Sequence, residues 1–445
     1  MSTIDRLRRL TGEEKPEQKK GADDLRIGEL RRRIEQIMER RPARQMSSVV
    51  SHARPEAGDL REIAEGEEIS TPYGKIFVAF DRIPAGHFHG LRRIGEIARL
   101  DMRKAAILAG HSVISRYNCG SALFIDTETT GLSGGTGTLA FLVGLGWYEG
   151  EHFIIRQLFA RDFAEERALL SFLTETAKDK SFLVSFNGRA FDVGLLATRF
   201  ILNRMDDSLS PLPHIDLLYP SRRILGHRLE NCRLSTLEEE VLGVRRRNDI
   251  PGSEIPQRYF DWLRTRDVRL MADVLEHNRL DVISMASLIV HLCDLLSFHR
   301  VPEEIEHSDV LAAARLCLER GEENHSMCLY EALARVNNKA AALEAKKQLS
   351  MIHKRAGRWA EAVRLWEEMI ECDPSHVFTL TELAKWCEHR AGDLNRAARF
   401  VLRALDSIGS EYPLQRELLL HRLERLRRRI KKREGEMAYS SSFTY

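Results

Sequence analysis

The sequence predicts an α/β domain, a mixed sheet with flanking helices, followed by an all-α array of repeated helix pairs. Three observations predict it. Strand-like and helix-like segments alternate between residues 66 and about 300. Strand-like patterns stop after Val301-Pro302. Glycines then recur at Gly321, Gly357 and Gly392, 36 and 35 residues apart, inside helical periodicity.

Residues 1–65 mix charges of both signs and read as a largely flexible leader. Ile27, Leu30, Ile34 and Ile37 fit one short amphipathic helix within it, with Pro16, Pro42 and Pro55 as breaks. The α/β domain is expected over 66–300. PYGKIFVAF at 72–80 reads as a hairpin or edge strand. The segments 121–127, 139–147 and 152–159 follow closely enough to form an antiparallel meander. A helix is expected from about Ala164 to Lys178, with Leu169, Leu170 and Leu173 on one face. FLVSF at 182–186 is a short buried strand that ends in the turn pair Asn187-Gly188, and a helix follows from about Phe191 to Arg204. His214 to Tyr219 reads as a strand. Ser235-Thr-Leu-Glu238 has the form of a capping box, and Gly243 sits where that helix should stop. A long helix runs from about Asp267 to Leu296.

The helical array is expected over 305–412. Ser326, Ala362 and Ala397 each lie five residues beyond a recurring glycine. The unit GRWAEAVRLWEEMIECDP has the small-residue, aromatic and terminal-proline pattern of a tetratricopeptide-type helix pair. Residues 413–445 read as a basic C-terminal helix and tail, carrying HRLERLRRRIKKR.

Bulk composition narrows the classes. A net charge of +2 does not by itself call for a polyanion partner, so such evidence must be local. The seven cysteines are scattered and form no C-x-x-C pair, which argues against a disulfide framework or zinc knuckle and for a reducing, cytoplasmic setting. The longest apolar run, Leu139 to Trp147, is too short to span a bilayer, so no membrane association is expected.

The chemistry concentrates in Phe124-Ile-Asp126-Thr-Glu128-Thr-Thr-Gly131-Leu132. Strand side chains alternate faces, so Asp126 and Glu128 point the same way. Two anions on one face of an apolar strand repel, and a bound cation is the usual reason such a pair survives. Alone, a solvated strand end explains them equally well. Asp192, at the end of Asn187-Gly-Arg-Ala-Phe-Asp192, sits near a helix start, where the helix dipole also favours an aspartate. His277 and Asp281, four apart, share a helix face. Asp192 and Asp281 could complete an oxygen-ligand site for Mg²⁺ or Mn²⁺. An imidazole titrates near neutral pH and could take a proton from an attacking water. The alternative for His277 is a helix-surface histidine paired with Asp281.

DTETTGL, NGRAFD and HNRLD together resemble the three exonuclease motifs of the DEDD superfamily, in order. The longer DTETTGLSGGTGTLAFLVGLGW resembles more narrowly the YprB-type branch of bacterial RNase H-like proteins. The resemblance covers roughly residues 66–296. It implies an RNase H-like fold, two bound divalent ions (Mg²⁺ or Mn²⁺), and removal of nucleotides from 3′ ends. It makes Asp126, Glu128, Asp192 and Asp281 the metal ligands and His277 the general base. The His-bearing members of the superfamily usually place that histidine five residues before the last aspartate; here the spacing is four.

The remaining motifs have plainer readings. Asp216 is expected as a turn or supporting partner. The loop 131–137 lacks the lysine of a nucleotide-binding G-x-x-x-x-G-K-[ST] and reads as a close-approach turn. His87 and His89 lack a third ligand and read as surface or core histidines. The cluster Arg222, Arg223, His227, Arg228 and Arg233, and Arg245 to Arg247, could contact phosphates or be solvated faces. The expected function is a metal-dependent 3′–5′ exonuclease acting on DNA or RNA, with repeats that recruit a protein partner. A non-catalytic nucleic-acid-binding adaptor and a structure-specific endonuclease are the alternatives.

Overall fold

A computed structural model describes residues 58–131, 137–247 and 249–441, with side chains through 435. The expected helix at Ile27 to Ile37 and most of the glycine-rich loop lie outside the described residues. Seven strands form one mixed sheet: β1 (Gly66–Thr71), β2 (Gly74–Pro84), β3 (Ala122–Thr129), β4 (Ala140–Glu149), β5 (His152–Phe159), β6 (Phe182–Ser185) and β7 (His214–Asp216). Their order is β1-β2-β5-β4-β3-β6-β7. β3, β4 and β5 are a meander of antiparallel neighbours, while β6 and β7 add on parallel to β3. After α1 (Met102–Ala109), the parallel pairs need crossovers, which the helices α2 (Glu166–Ala177) and α3 (Asp192–Leu202) help to supply.

Strand alternation sorts the core. Leu123 and Ile125 of β3 pack with Leu169, Leu173, Leu196 and Phe200 on the face covered by α2 and α3. Ala122 and Phe124 face the other way, onto Val282, Met285 and Ile289. Those residues belong to the 27-residue helix Arg269–Leu295. Three short helices precede that helix: α4 (Leu218–Ile224), α5 (Leu234–Leu237) and α6 (Ile255–Thr265); the long one is α7. Two local expectations change. His214 to Tyr219 is a strand only to Asp216, then turns into α4. Ser235 and Glu238 form no capping box: α5 begins at Leu234 with no side-chain cap, because Glu238 is drawn inward to a buried arginine.

Beyond Val301 the chain is helical. The pairs are His307–Glu319 with Glu323–Leu333, Lys339–Arg355 with Trp359–Cys372, and Val377–Trp386 with Leu394–Ser407, followed by Pro413–Ser441. Gly321, Gly357 and Gly392 stand at the turn inside each pair with φ of 82°, 73° and 69°, a left-handed region that favours glycine. Ser326, Ala362 and Ala397 are fully buried where only a small side chain lets the helices close. One apolar core runs without a break from Ile83 and Phe124 through Val310 and Leu316 to Leu349 and Leu365, so the sheet and the first helix pairs share it. Among the described residues no helix is long and apolar enough to cross a membrane.

Candidate active site

The site forms where β3, α3 and α7 meet. β3 runs as an apolar centre strand through Ile125 and then carries Asp126 and Glu128 on the α7 face. Asn278 of α7 donates from Nδ2 to Asp126 Oδ2 at 2.8 Å. Asn278 Oδ1 accepts in turn from Gln157 Nε2 at 2.9 Å, and Gln157 also reaches the Leu275 carbonyl at 2.7 Å. Asp126, Gly144 and Gln157 sit side by side on three neighbouring strands. α7 therefore approaches the sheet over a glycine, and Gly146 admits Val282 in the same way.

Thr127 points to the opposite face. Its hydroxyl donates to Asp192 Oδ1 at 2.5 Å and fixes that carboxylate at the start of α3. The turn before α3 is held from β7. Asp216 accepts from the backbone N–H of Asn187 at 2.7 Å and of Arg189 at 3.0 Å, with Asn187 at φ 65°. Ser185 Oγ lies 2.7 Å from His214 Nε2 and accepts from the Gly188 N–H at 3.1 Å. A Cβ on Gly188 would fall 2.4 Å from Ser185 Oγ and 3.0 Å from Asp192 Oδ2, so the turn needs its glycine.

From α7, His277 and Asp281 reach the same place. His277 Nδ1 lies 2.7 Å from Asp249 Oδ1, which fixes Nδ1 as the protonated nitrogen. Nε2 then faces Asp281 Oδ2 at 3.7 Å and Glu128 Oε1 at 3.9 Å. With a side chain 15% exposed and Asp249 as its main partner, His277 is not a free helix-surface residue. Asp281 Oδ1 accepts from Arg246.

Electrostatics tie the group together. Burial pushes the Asp126 and Glu128 carboxyls well above the usual range, and neighbouring negative charges push further: Asp281 and Asp192 on Asp126, and Asp126, Asp281 and Asp192 on Glu128. Burial also raises Asp192, to about 6, against the Thr127 hydrogen bond that favours its ionised form. Glu128 is 13% exposed at its side chain, open to a ligand yet enclosed enough for its charge to be costly.

Residues 123–293 match the model of the RNase H superfamily. That span begins in β3 and ends in α7, and it contains Asp126, Glu128, Asp192, His277 and Asp281. The chain is also 32% identical over 354 residues to the uncharacterized protein YprB of Bacillus subtilis (strain 168), across 78% of this chain and 84% of that protein. This chain belongs to the YprB family. The alignment is longer than the RNase H superfamily match, so the YprB likeness extends beyond that domain.

The donors suit a hard divalent cation, being carboxylate oxygens from three elements. Among the described residues, no three His, Cys, Asp or Glu side chains are already drawn into ligand geometry. The reason is local: Asn278, Thr127 and Arg246 each hold an oxygen of Asp126, Asp192 and Asp281. The groups that sequence reasoning missed are Thr127, Glu238, Arg246, Asp249 and Asn278. Asn278 sits beside His277 in HNRLD and could have been noticed; Arg246 and Asp249 lie in a charge run with no distinguishing signal.

Three members of the basic cluster make contacts within the chain. Arg228 makes a bidentate pair with Asp309 at 2.9 and 2.9 Å from Nε and Nη2. Arg223 pairs with Glu319, and His227 Nε2 lies 2.8 Å from Ser308 Oγ. These side chains grip the first helix of the array. In the tail, Arg422, Arg425 and Arg429 converge on the buried Glu388, which ties Pro413–Ser441 to the preceding helices.

Proposed function

We propose that the protein is a nuclease that hydrolyses phosphodiester bonds of DNA or RNA, removing nucleotides from 3′ ends with the help of two divalent ions, Mg²⁺ or Mn²⁺. One observation carries the reading: carboxylates far apart in sequence meet in one half-enclosed place beside His277, where burial and the charges of Asp192 and Asp281 raise the cost of ionising Asp126 and Glu128. Such a group is stable in its charged form only with cations beside it. When bound, the ions would supply the positive charge that phosphodiester hydrolysis needs around its attacking and leaving oxygens.

The protein's own groups have distinct tasks. Asp126, Glu128, Asp192 and Asp281 would hold the ions. Asp249 keeps the proton of His277 on Nδ1, so the Nε2 lone pair faces the carboxylates and takes the proton of the attacking water. Phe191, 55% exposed and next to Asp192, offers a face on which a base can stack. The nuclease domain spans 66–300. The tetratricopeptide-like repeats over 305–412 recruit a protein partner, and the basic helix and tail over 413–445 follow them. A cytoplasmic setting agrees with seven cysteines that are all free.

The test uses the full chain with end-labelled single- and double-stranded DNA and RNA, in Mg²⁺, in Mn²⁺ and in EDTA. A one-nucleotide ladder that vanishes in EDTA and in Asp126→Ala is the expected result. Binding without cleavage in every metal overturns the enzyme reading in favour of an adaptor. Internal cuts in place of a ladder make it an endonuclease.

A further inference from the structure

Arg246 lies in the segment after Gly243, whose φ of 68° turns the chain back from the π-helical turn Glu238–Leu242. Its side chain is 7% exposed and is enclosed by three carboxylates. Nε donates to Glu238 Oε2 at 2.7 Å and Nη2 to Oε1 at 2.5 Å, a bidentate pair. Nη2 also donates to Asp281 Oδ1, and Nη1 to Asp249 Oδ2 at 3.2 Å. Beneath it, Glu238 is 1% exposed and also accepts from the Ser284 hydroxyl. A carboxylate cannot donate, so the Ser284 oxygen accepts from His89 Nε2 at 2.7 Å.

Two features decide what this arginine does. It has no spare edge: Nε, Nη1 and Nη2 are all directed at carboxylates. An arginine that seizes a phosphate presents a free fork, and Arg246 does not. It also has two separable engagements. Glu238 is its deep counter-ion, so giving up Asp281 would leave neither Arg246 nor Glu238 as an unpaired buried charge. Asp281 is the shallower partner and the one that belongs to the acidic centre.

We infer that Arg246 is a resident counter-ion of the acidic centre, holding Asp281 where a divalent cation would otherwise sit, so that the cation binds in competition with the guanidinium. The inference rests on the metal role proposed for Asp281. It makes Arg246 a positioning residue, since it acts through Asp281.

The experiment measures Mn²⁺ dissociation constants by titration calorimetry and by paramagnetic resonance. It compares the parent with Arg246→Gln and with Arg246→Gln/Glu238→Gln. The double variant keeps the parent's net charge and removes the buried pair as a unit, which isolates competition from bulk electrostatics and guards against misfolding. Both variants should bind Mn²⁺ more tightly, the single one on the order of tenfold. Arg246→Gln should melt below the parent in EDTA and gain more on Mn²⁺ addition. Unchanged or weaker Mn²⁺ binding in both variants, with the parent binding normally, overturns this inference alone. A gain confined to the single variant assigns the effect to net charge and also overturns it. A parent that binds no Mn²⁺ removes this inference and the metal reading together.

Discussion

Asn278 lies directly across Gly144: a Cβ on that glycine would stand 2.3 Å from the Asn278 Oδ1 atom. The contact sets how close α7 comes to the sheet. It also decides whether one amide can join Gln157 to Asp126 over the strand between them.

Gly144→Ala should therefore cost about 1–3 kcal/mol of stability, by forcing α7 outward, and should lower cleavage further by moving Asp281 and His277. Urea denaturation and a turnover assay check it. Gly194→Ala is the contrast: it lies inside α3 with nothing within 4 Å of the new methyl. It should raise stability by about 0.5–1 kcal/mol, so a loss in both variants would point away from the Asn278 contact.

His277→Ala should lower kcat by about 100-fold or more, while the Mn²⁺ dissociation constant changes by no more than about twofold, since the imidazole is assigned the proton rather than an ion. Asp249→Asn should lower kcat in the same direction by a smaller factor, because the amide can also support the other tautomer. Parallel kinetics and metal titrations separate the two effects. Parent-like cleavage by His277→Ala would remove the proton-acceptor role.

The contribution of the buried histidines to stability should fall as pH drops from about 6.5 towards 4. Burial lowers His89 and His214 to about 4 and His291 to about 3. A depressed histidine stays neutral when folded while the unfolded chain takes up a proton. Its contribution is thus intact above 6.5 and is lost on the way down. At pH 5 the loss is about 2 kcal/mol for each histidine. Asp192, raised to about 6, and Asp126 and Glu128, raised well above the usual range, have the opposite sign and give stability back as pH falls, so the histidines are read by comparing variants rather than from the parent alone. His291 Nε2 has no hydrogen-bond partner, so His291→Leu isolates one histidine. The urea midpoint of that variant should drop less between pH 7 and pH 5 than the parent's.

Arg228→Ala should cost about 3–5 kcal/mol, because Asp309, 3% exposed, would keep its charge with only His227, 3.6 Å away, beside it. Arg228→Ala/Asp309→Asn should recover part of the loss. Equilibrium unfolding of the full chain reads both, and equal losses in the two variants would mean that packing, not charge, dominates.

Much of the architecture is legible because it rests on local pattern. The β3–β5 meander shows in its alternating apolar residues, and the helix pairs show in their turn glycines. Asp126, Glu128, Asp192, His277 and Asp281 announce themselves by spacing along single elements. What hides is whatever depends on a partner far away in sequence. Arg246 reads as a phosphate contact or a solvated face and Asp249 goes unremarked, since nothing local says that Glu238 lies beneath Arg246. Thr127, between the two acids of the strand, carries no signal of its own, yet its face is the one that meets Asp192. Arg223, His227 and Arg228 carry the composition of a phosphate grip, and only the placement of Asp309 and Glu319 shows what they hold. Helix α6 is absent from the sequence reading; Pro256 sits in its first turn, where it needs no N–H partner.

The shared core and the Arg228–Asp309 clamp make the helical array a lever arm rather than a tethered appendage. Anything seated on those helices is carried at a set bearing to the strand ends. The span from that seat to Asp126 is then a length built into the molecule, much as a jig fixes where a blade will fall.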